Sequence, residues 1–232
     1  MIKESYLTYV IIRSGVESVS VSLDSATQHH IERIVDQLCS ELEGQFDRPV
    51  IQEVMNDSVA RLAQTATVKE FVPLMAYRFT RERLDAISRA RKRESSGTRD
   101  FVFVSLSGGG RGQIAAALTT KLSEKRVSVH SAGTATQAEI DPGVRTVIQE
   151  LGLDPTEAFA RPVTPEVLRG ADVIVTMGHS VGDVELPRGV RHEDWRIGDP
   201  IGAPLDEVRR VRDDIEYRIR ALLSELEVPV GG

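Results

Sequence analysis

Apolar positions recur at intervals of three and four from residue 25 onward. Ile31, Ile34, Val35, Leu38 and Leu42 form the first series, Ile51, Val54, Met55, Val59 and Leu62 the second. Phe71, Leu74, Met75, Phe79, Leu84 and Ile87 form a third. Each spacing places its members on one helix face. Asp24 or Ser25 is a candidate cap for the first helix, and Gly44 a candidate stop. Residues 25–95 are therefore expected to form a three-helix bundle. So small a bundle has little core of its own and needs a partner, either the rest of the chain or a second copy. Before it, Tyr6–Ile12 and Val19–Leu23 are β-prone. Residues 1–24 read either as a two-stranded piece or as an extension without fixed structure.

Beyond residue 99 the period changes. Phe101–Val104 reads as a buried strand, and Ile114, Ala117, Leu118 and Leu122 mark a helix after it. Val127–Val129 suggests a second strand. Val144, Val147, Ile148 and Leu151 mark a helix ended by Gly152. Thr164 is expected to cap a short helix with Pro165 at its first position. Ala171–Met177 gives a third strand and Val190–Arg196 a fourth. Val208, Val211, Ile215, Ile219, Leu222 and Leu226 mark a long final helix. Alternating strands and helices predict an α/β domain over 99–230, a small parallel sheet with helices on both faces. Ligands bind such sheets at the carboxyl ends of strands, at the switch point.

Composition narrows the chemistry. The 232 residues carry a net charge of −6, which disfavours a nucleic-acid partner. The basic run Arg89–Arg93 before Ser95-Ser96-Gly97 reads as a cationic helix end, which the helix dipole favours, and then a linker, with a patch for a nucleic acid or an acidic partner as the less favoured alternative. No apolar run is long enough to span a bilayer, and the first residues do not resemble a signal peptide, so a cytoplasmic protein without a membrane partner is expected. Cys39 is the single cysteine, which excludes an internal disulfide and a cysteine-only zinc site. Its place beside Leu38 and Leu42 suggests a small buried apolar residue. His29 and His30 point to different helix faces, and His130 and His192 are dispersed; no metal or other cofactor is called for.

The segment after Phe101–Val104 is the richest in chemistry. It reads Ser105-Leu106-Ser107-Gly108-Gly109-Gly110-Arg111-Gly112-Gln113. Consecutive glycines let backbone N–H groups converge, the following helix adds its positive end, and Arg111 can grip a tetrahedral anion through its planar fork. The loop lacks the Gly-Lys-Ser/Thr ending of a nucleoside-triphosphate loop and the spacing of a dinucleotide fingerprint. His179, after the third strand, is a candidate ligand contact.

Residues 100–227 resemble the low-molecular-weight protein tyrosine phosphatases, and especially their arsenate reductase branch. The resemblance rests on Phe101–Val104 with Arg111 and Gln113–Leu118, on Ser131-Ala132-Gly133-Thr134, and on Ala171–Gly178. Asp194-Trp195, Asp199-Pro200 and Pro204–Leu226 extend it. Residues 25–93 resemble a three-helix domain that precedes such domains in actinobacterial proteins, which implies dimerisation through 25–95. The family loop implies a nucleophilic cysteine at position 105, where this chain has Ser105, and an arginine at 111, which is present. It also implies an asparagine at 108 and a serine at 112, where this chain has glycines. Asp199 falls at the position of the family's general acid. A serine hydroxyl is far more basic than a thiol, and no histidine sits in the loop to activate it. The reductase branch further implies later cysteines, and none follows Cys39.

The expectation is a protein that binds a phosphate-like anion or phosphorylated ligand without family-type turnover. Ser105, Arg111 and Asp199 stand at the catalytic positions, and residues 106–112 form the cradle. Two alternatives stand beside it: an enzyme using Ser105 or Ser107 with Arg111 and Asp199 on another substrate, and a scaffold or regulator acting through the helical bundle.

Overall fold

The computed structural model describes residues 25–65, 72–92, 98–134, 140–155, 161–178 and 185–231. The strand expectation for 1–24 and the ligand contact expected of His179 lie outside them. Two compact units emerge: residues 1–93 with 164–170, and residues 94–163 with 171–232.

The first unit contains α1 (Ser25–Glu41), α2 (Arg48–Thr65) and α3 (Val72–Lys92), joined by the short α6 (Pro165–Gly170) from far along the chain. Gly44 adopts φ +73 past the end of α1, a left-handed stop that glycine accepts without cost. The first two apolar series are buried as the spacing predicts. The third differs. Leu74 is exposed, and the buried face of α3 is Val72, Ala76, Phe79, Thr80, Arg83, Leu84, Ala86 and Ile87. That face carries two small residues and two polar ones, so hydropathy alone misplaces it. Arg83 is what the face is built around. Its Nη1 lies 2.7 Å from Asp57 Oδ2 and donates to Ser58 Oγ at 2.9 Å. Its Nε donates to Glu166 Oε1 on α6 at 2.6 Å, and the guanidinium lies 5.3 Å from the Phe79 ring centre. Gly170 lets α6 approach closely: a Cβ there would sit 3.0 Å from the Ala86 carbonyl. Among the described residues the side chain of Thr164 makes no capping bond, though its carbonyl accepts from Leu168 N–H at 3.2 Å. Cys39 is only partly buried on α1, not enclosed as expected.

The second unit is a four-stranded parallel sheet of order β2-β1-β3-β4. Its strands are β1 (Asp100–Ser105), β2 (Ser128–Gly133), β3 (Val173–Met177) and β4 (Arg191–Trp195). β2 runs four residues past the expected Val127–Val129, because Ser131, Ala132 and Gly133 pair with Phe103, Val104 and Ser105. Those small residues lack an apolar pattern but fit the tight space beside β1. The helices are α4 (Arg111–Leu122), α5 (Pro142–Glu150) and α7 (Leu205–Glu225). Phe101, Phe103, Val173, Val175 and Met177 share one sheet face and pack with Ile114, Leu118, Val144, Ile148, Val208 and Ile215 of these helices. Val102, Val104 and Ile174 on the opposite face are buried as well, as expected of central parallel strands. β4 is an edge strand of alternating burial, and its charges guard the open edge. Because β2 and β3 lie on opposite sides of β1, the crossovers diverge at the carboxyl end of β1. Among the described residues no helix is long and apolar enough to cross a membrane.

Candidate functional site

The loop of residues 106–110 leaves β1 at that divergence and enters α4 at Arg111. Gly110 caps α4, and no side chain hydrogen-bonds at the cap. The positive end of the helix thus faces the loop uncovered by a protein carboxylate or hydroxyl cap. Gly108 takes φ +68 and lies against the backbone of Gly133. A Cβ on Gly133 would come within 2.7 Å of Gly108 N, so this close passage of two backbones requires glycine. Gln113 is buried, and its Nε2 donates to the Gly108 carbonyl at 2.8 Å, clamping the loop from its own helix.

Arg111 is the central cation. Its side chain is only 10% exposed. Nη1 donates to the Ile197 carbonyl at 3.0 Å, and Nη2 lies 3.5 Å from Asp199 Oδ2. Gly178, at φ +93, makes room for it: a Cβ there would stand 2.5 Å from Nη1. Asp199 is 53% exposed, and its Oδ1 accepts from Ile201 N–H at 3.2 Å. A buried guanidinium facing one carbonyl and one distant, solvated carboxylate keeps positive charge to offer.

Ser105 ends β1 with its hydroxyl buried and without a hydrogen-bond partner among the described residues, and the same holds for Ser131 on β2. A Cβ at Gly112 would meet Ser131 Oγ at 2.7 Å and Ser105 Oγ at 3.3 Å. Glycine at 112 therefore opens directly onto two unpaired hydroxyls. Ser107 Oγ instead accepts from Gly109 N–H at 3.3 Å, so it serves the turn. Leu106 is exposed, and Pro200 and Ile201 lie against Gly110.

Sequence reasoning missed Asp141. Its Oδ1 caps α5 by accepting from Gly143 and Val144 N–H, at 2.8 and 3.3 Å. Its Oδ2 accepts from Gly202 N–H at 3.0 Å, and its own N–H donates to the Gly109 carbonyl at 3.3 Å. One residue thus ties the glycine loop to the turn carrying Asp199. Asp141-Pro142 carries a legible helix-start signal, but nothing in the sequence announces the bond to Gly202. The structure brings Ser105, residues 106–112 and Asp199 together. His130 and His192 lie in the sheet, hydrogen-bonded to Ser128 and Thr176. Among the described residues no group of three His, Cys, Asp or Glu converges as a metal site.

A single parallel sheet, a glycine loop entering a helix at its carboxyl edge and a buried arginine beside an aspartate define a phosphatase-type α/β fold. The chain belongs to the low molecular weight phosphotyrosine protein phosphatase family, whose pattern matches residues 100–230. The protein-tyrosine-phosphatase-like N-terminal domain pattern matches residues 31–88. The chain is similar to the thioredoxin-dependent arsenate reductase of Corynebacterium glutamicum, at 30% identity and a TM-score of 0.76, over 86% of this chain and 97% of that one. An arsenate reductase homologue of Halobacterium salinarum is 32% identical over 133 residues, 55% of this chain and 93% of its own length. An arsenate reductase of Staphylococcus aureus is 29% identical over 99 residues, 42% of this chain and 75% of its own.

Proposed function

We propose that this protein binds a phosphate-like oxyanion or phosphorylated ligand in the 106–112 loop without forming the covalent thiol intermediate implied by its family. The observation that carries this reading is the hydroxyl of Ser105, buried and without a hydrogen-bond partner at the end of β1. A nucleophilic serine needs a base within hydrogen-bond reach, and Ser105 Oγ has none among the described residues. A neutral hydroxyl does not repel an incoming dianion as a thiolate would, so it favours holding the anion over attacking it. Arsenate reduction through thiols would require cysteines near the loop. The single cysteine, Cys39, belongs to the helical unit. In this reading residues 25–95 provide the self-association surface, with exposed Leu74 on α3 as its candidate contact.

Calorimetric titration of phosphate, arsenate and sulfate into wild type and Arg111→Ala tests the reading, alongside a 4-nitrophenyl phosphate turnover assay. Saturable binding that disappears in Arg111→Ala, without turnover, is the expected result. Turnover in wild type that vanishes in Ser105→Ala would replace it with the enzymatic alternative. Light scattering of wild type and Leu74→Asp tests self-association, and identical monomeric masses would remove that part.

A further inference from the structure

We infer that the site selects oxyanions that carry a proton, monohydrogen phosphate and monohydrogen arsenate, over sulfate, and that Asp199 makes the selection. This rests on the proposed anion-binding reading of the loop. One N–H of Arg111 Nη1 goes to the Ile197 carbonyl at 3.0 Å, and the guanidinium keeps further N–H groups for a ligand, those of Nη2 among them. Nη2 already lies 3.5 Å from Asp199 Oδ2, so an anion gripped there sits beside a carboxylate oxygen.

That carboxylate is held in place. Its Oδ1 accepts from Ile201 N–H at 3.2 Å, and the same turn is anchored where Gly202 N–H donates to Asp141 Oδ2 at 3.0 Å. An ionised carboxylate is an acceptor only. Against a ligand oxygen that bears a proton it forms a short charge-assisted bond. Against one that bears none, two acceptors face each other and repel. Sulfate carries no proton at neutral pH, whereas phosphate and arsenate each retain at least one.

The remaining groups do not discriminate in this way. Backbone N–H groups and Arg111 are donors and serve every oxyanion. Ser105 Oγ and Ser131 Oγ, each on a residue 1% exposed and unpaired among the described residues, are hydroxyls that donate or accept as the ligand requires. Asp199 is the group in the set that only accepts.

The experiment uses the full chain in three forms: wild type, Asp199→Asn and Arg111→Ala. Each is titrated calorimetrically with phosphate, arsenate and sulfate at neutral pH. Wild type is expected to bind phosphate and arsenate about tenfold or more tightly than sulfate. In Asp199→Asn the amide can turn its NH2 toward an unprotonated oxygen, so sulfate binding is expected to rise and the gap to shrink below about threefold. Because Asp199 is half exposed, the variant should fold, and a matched thermal melt checks that it does. Equal wild-type affinities for phosphate and sulfate, both lost in Arg111→Ala, would leave the anion site standing and overturn the selectivity. A wild-type preference unchanged in Asp199→Asn would also overturn it. No saturable binding of any of the three anions to wild type would remove the anion reading itself, and this inference with it.

Discussion

Among the described residues two arginines are enclosed, one in each unit, and their surroundings differ. Arg83 is 1% exposed and meets Asp57, Glu166, Ser58 and the face of Phe79. Arg111 is nearly as enclosed, but it meets one carbonyl and a solvated carboxylate at 3.5 Å. A charge removed from water must be compensated by partners or by a ligand. Arg83 is compensated within the protein, so its environment is structural. Arg111 is undercompensated beside a glycine loop and a helix N-terminus, which is the condition for an anion site.

The largest effect expected from breaking this comparison lies in the helical unit. Glu166→Ala leaves Arg83 with one fewer acidic partner in a dry environment, and such losses cost about 3–5 kcal/mol. Denaturant unfolding followed by circular dichroism should show that loss. The paired change Arg83→Met with Glu166→Leu should cost much less, because it removes both charges together. A small effect of Glu166→Ala alone would mean that Asp57 suffices to neutralise Arg83.

Arg111→Ala should do the opposite. Its anion affinity should fall by about a hundredfold or more, with unfolding free energy changed by less than about 1 kcal/mol. A stability loss as large as that of Glu166→Ala would place Arg111 in the same structural class as Arg83.

Asp141→Asn sharpens the site further. Asparagine is as good a helix cap as aspartate, so α5 should persist. Its NH2 would face the Gly202 N–H, donor against donor, and release the turn that carries Asp199. A stability loss of about 1 kcal/mol, faster amide exchange at Gly202 and a few-fold weaker phosphate binding are expected. Unchanged exchange at Gly202 would remove Asp141 from the positioning role.

The smallest effect concerns Glu41, which joins α1 to α3. Burial raises its carboxyl pKa, but hydrogen bonds from Gln37 and Tyr77 and the charge and hydrogen bond of Arg81 outweigh that and hold it below the usual carboxylate range. Tyr77 Oη donates to it at 3.0 Å and Arg81 Nη1 at 2.6 Å. With the folded pKa depressed, the stabilisation is full above the ordinary value and is lost as pH falls through the folded one. Partial exposure limits it to about 0.5 kcal/mol. Glu41→Gln should flatten that part of the acid unfolding curve, and an unaltered curve would show that Glu41 contributes nothing to it.

Much of the fold was legible because its signals are local. Helical periodicity located α1, α2, α5 and α7, and the buried runs located β1 and β3. The glycine loop and Arg111 were legible for the same reason, since strand, loop and helix follow one another without interruption. The buried face of α3 was misplaced because Ala76, Thr80 and Arg83 do not score as core residues. Arg83 is interior only because Asp57 and Glu166 meet it there, and Glu166 is 83 residues away. The carboxyl half of β2 was missed because Ser131, Ala132 and Gly133 are chosen for fit against β1 and Gly108, not for hydropathy.

The sequence by itself determined the order of elements, the chemistry available in residues 105–113 and the absence of any cysteine beside them. These follow from local spacing and residue identity. The tertiary structure decided which long-range contacts give those residues their character. It left the hydroxyls of Ser105 and Ser131 next to Gly112 without a partner among the described residues, turned Asp199 toward Arg111 and made Asp141 the tie between two loops. It also set α6 among the helices of the first unit. Hydrogen bonds and charge compensation act through space over a few ångströms, and only the folded chain brings distant residues within that reach.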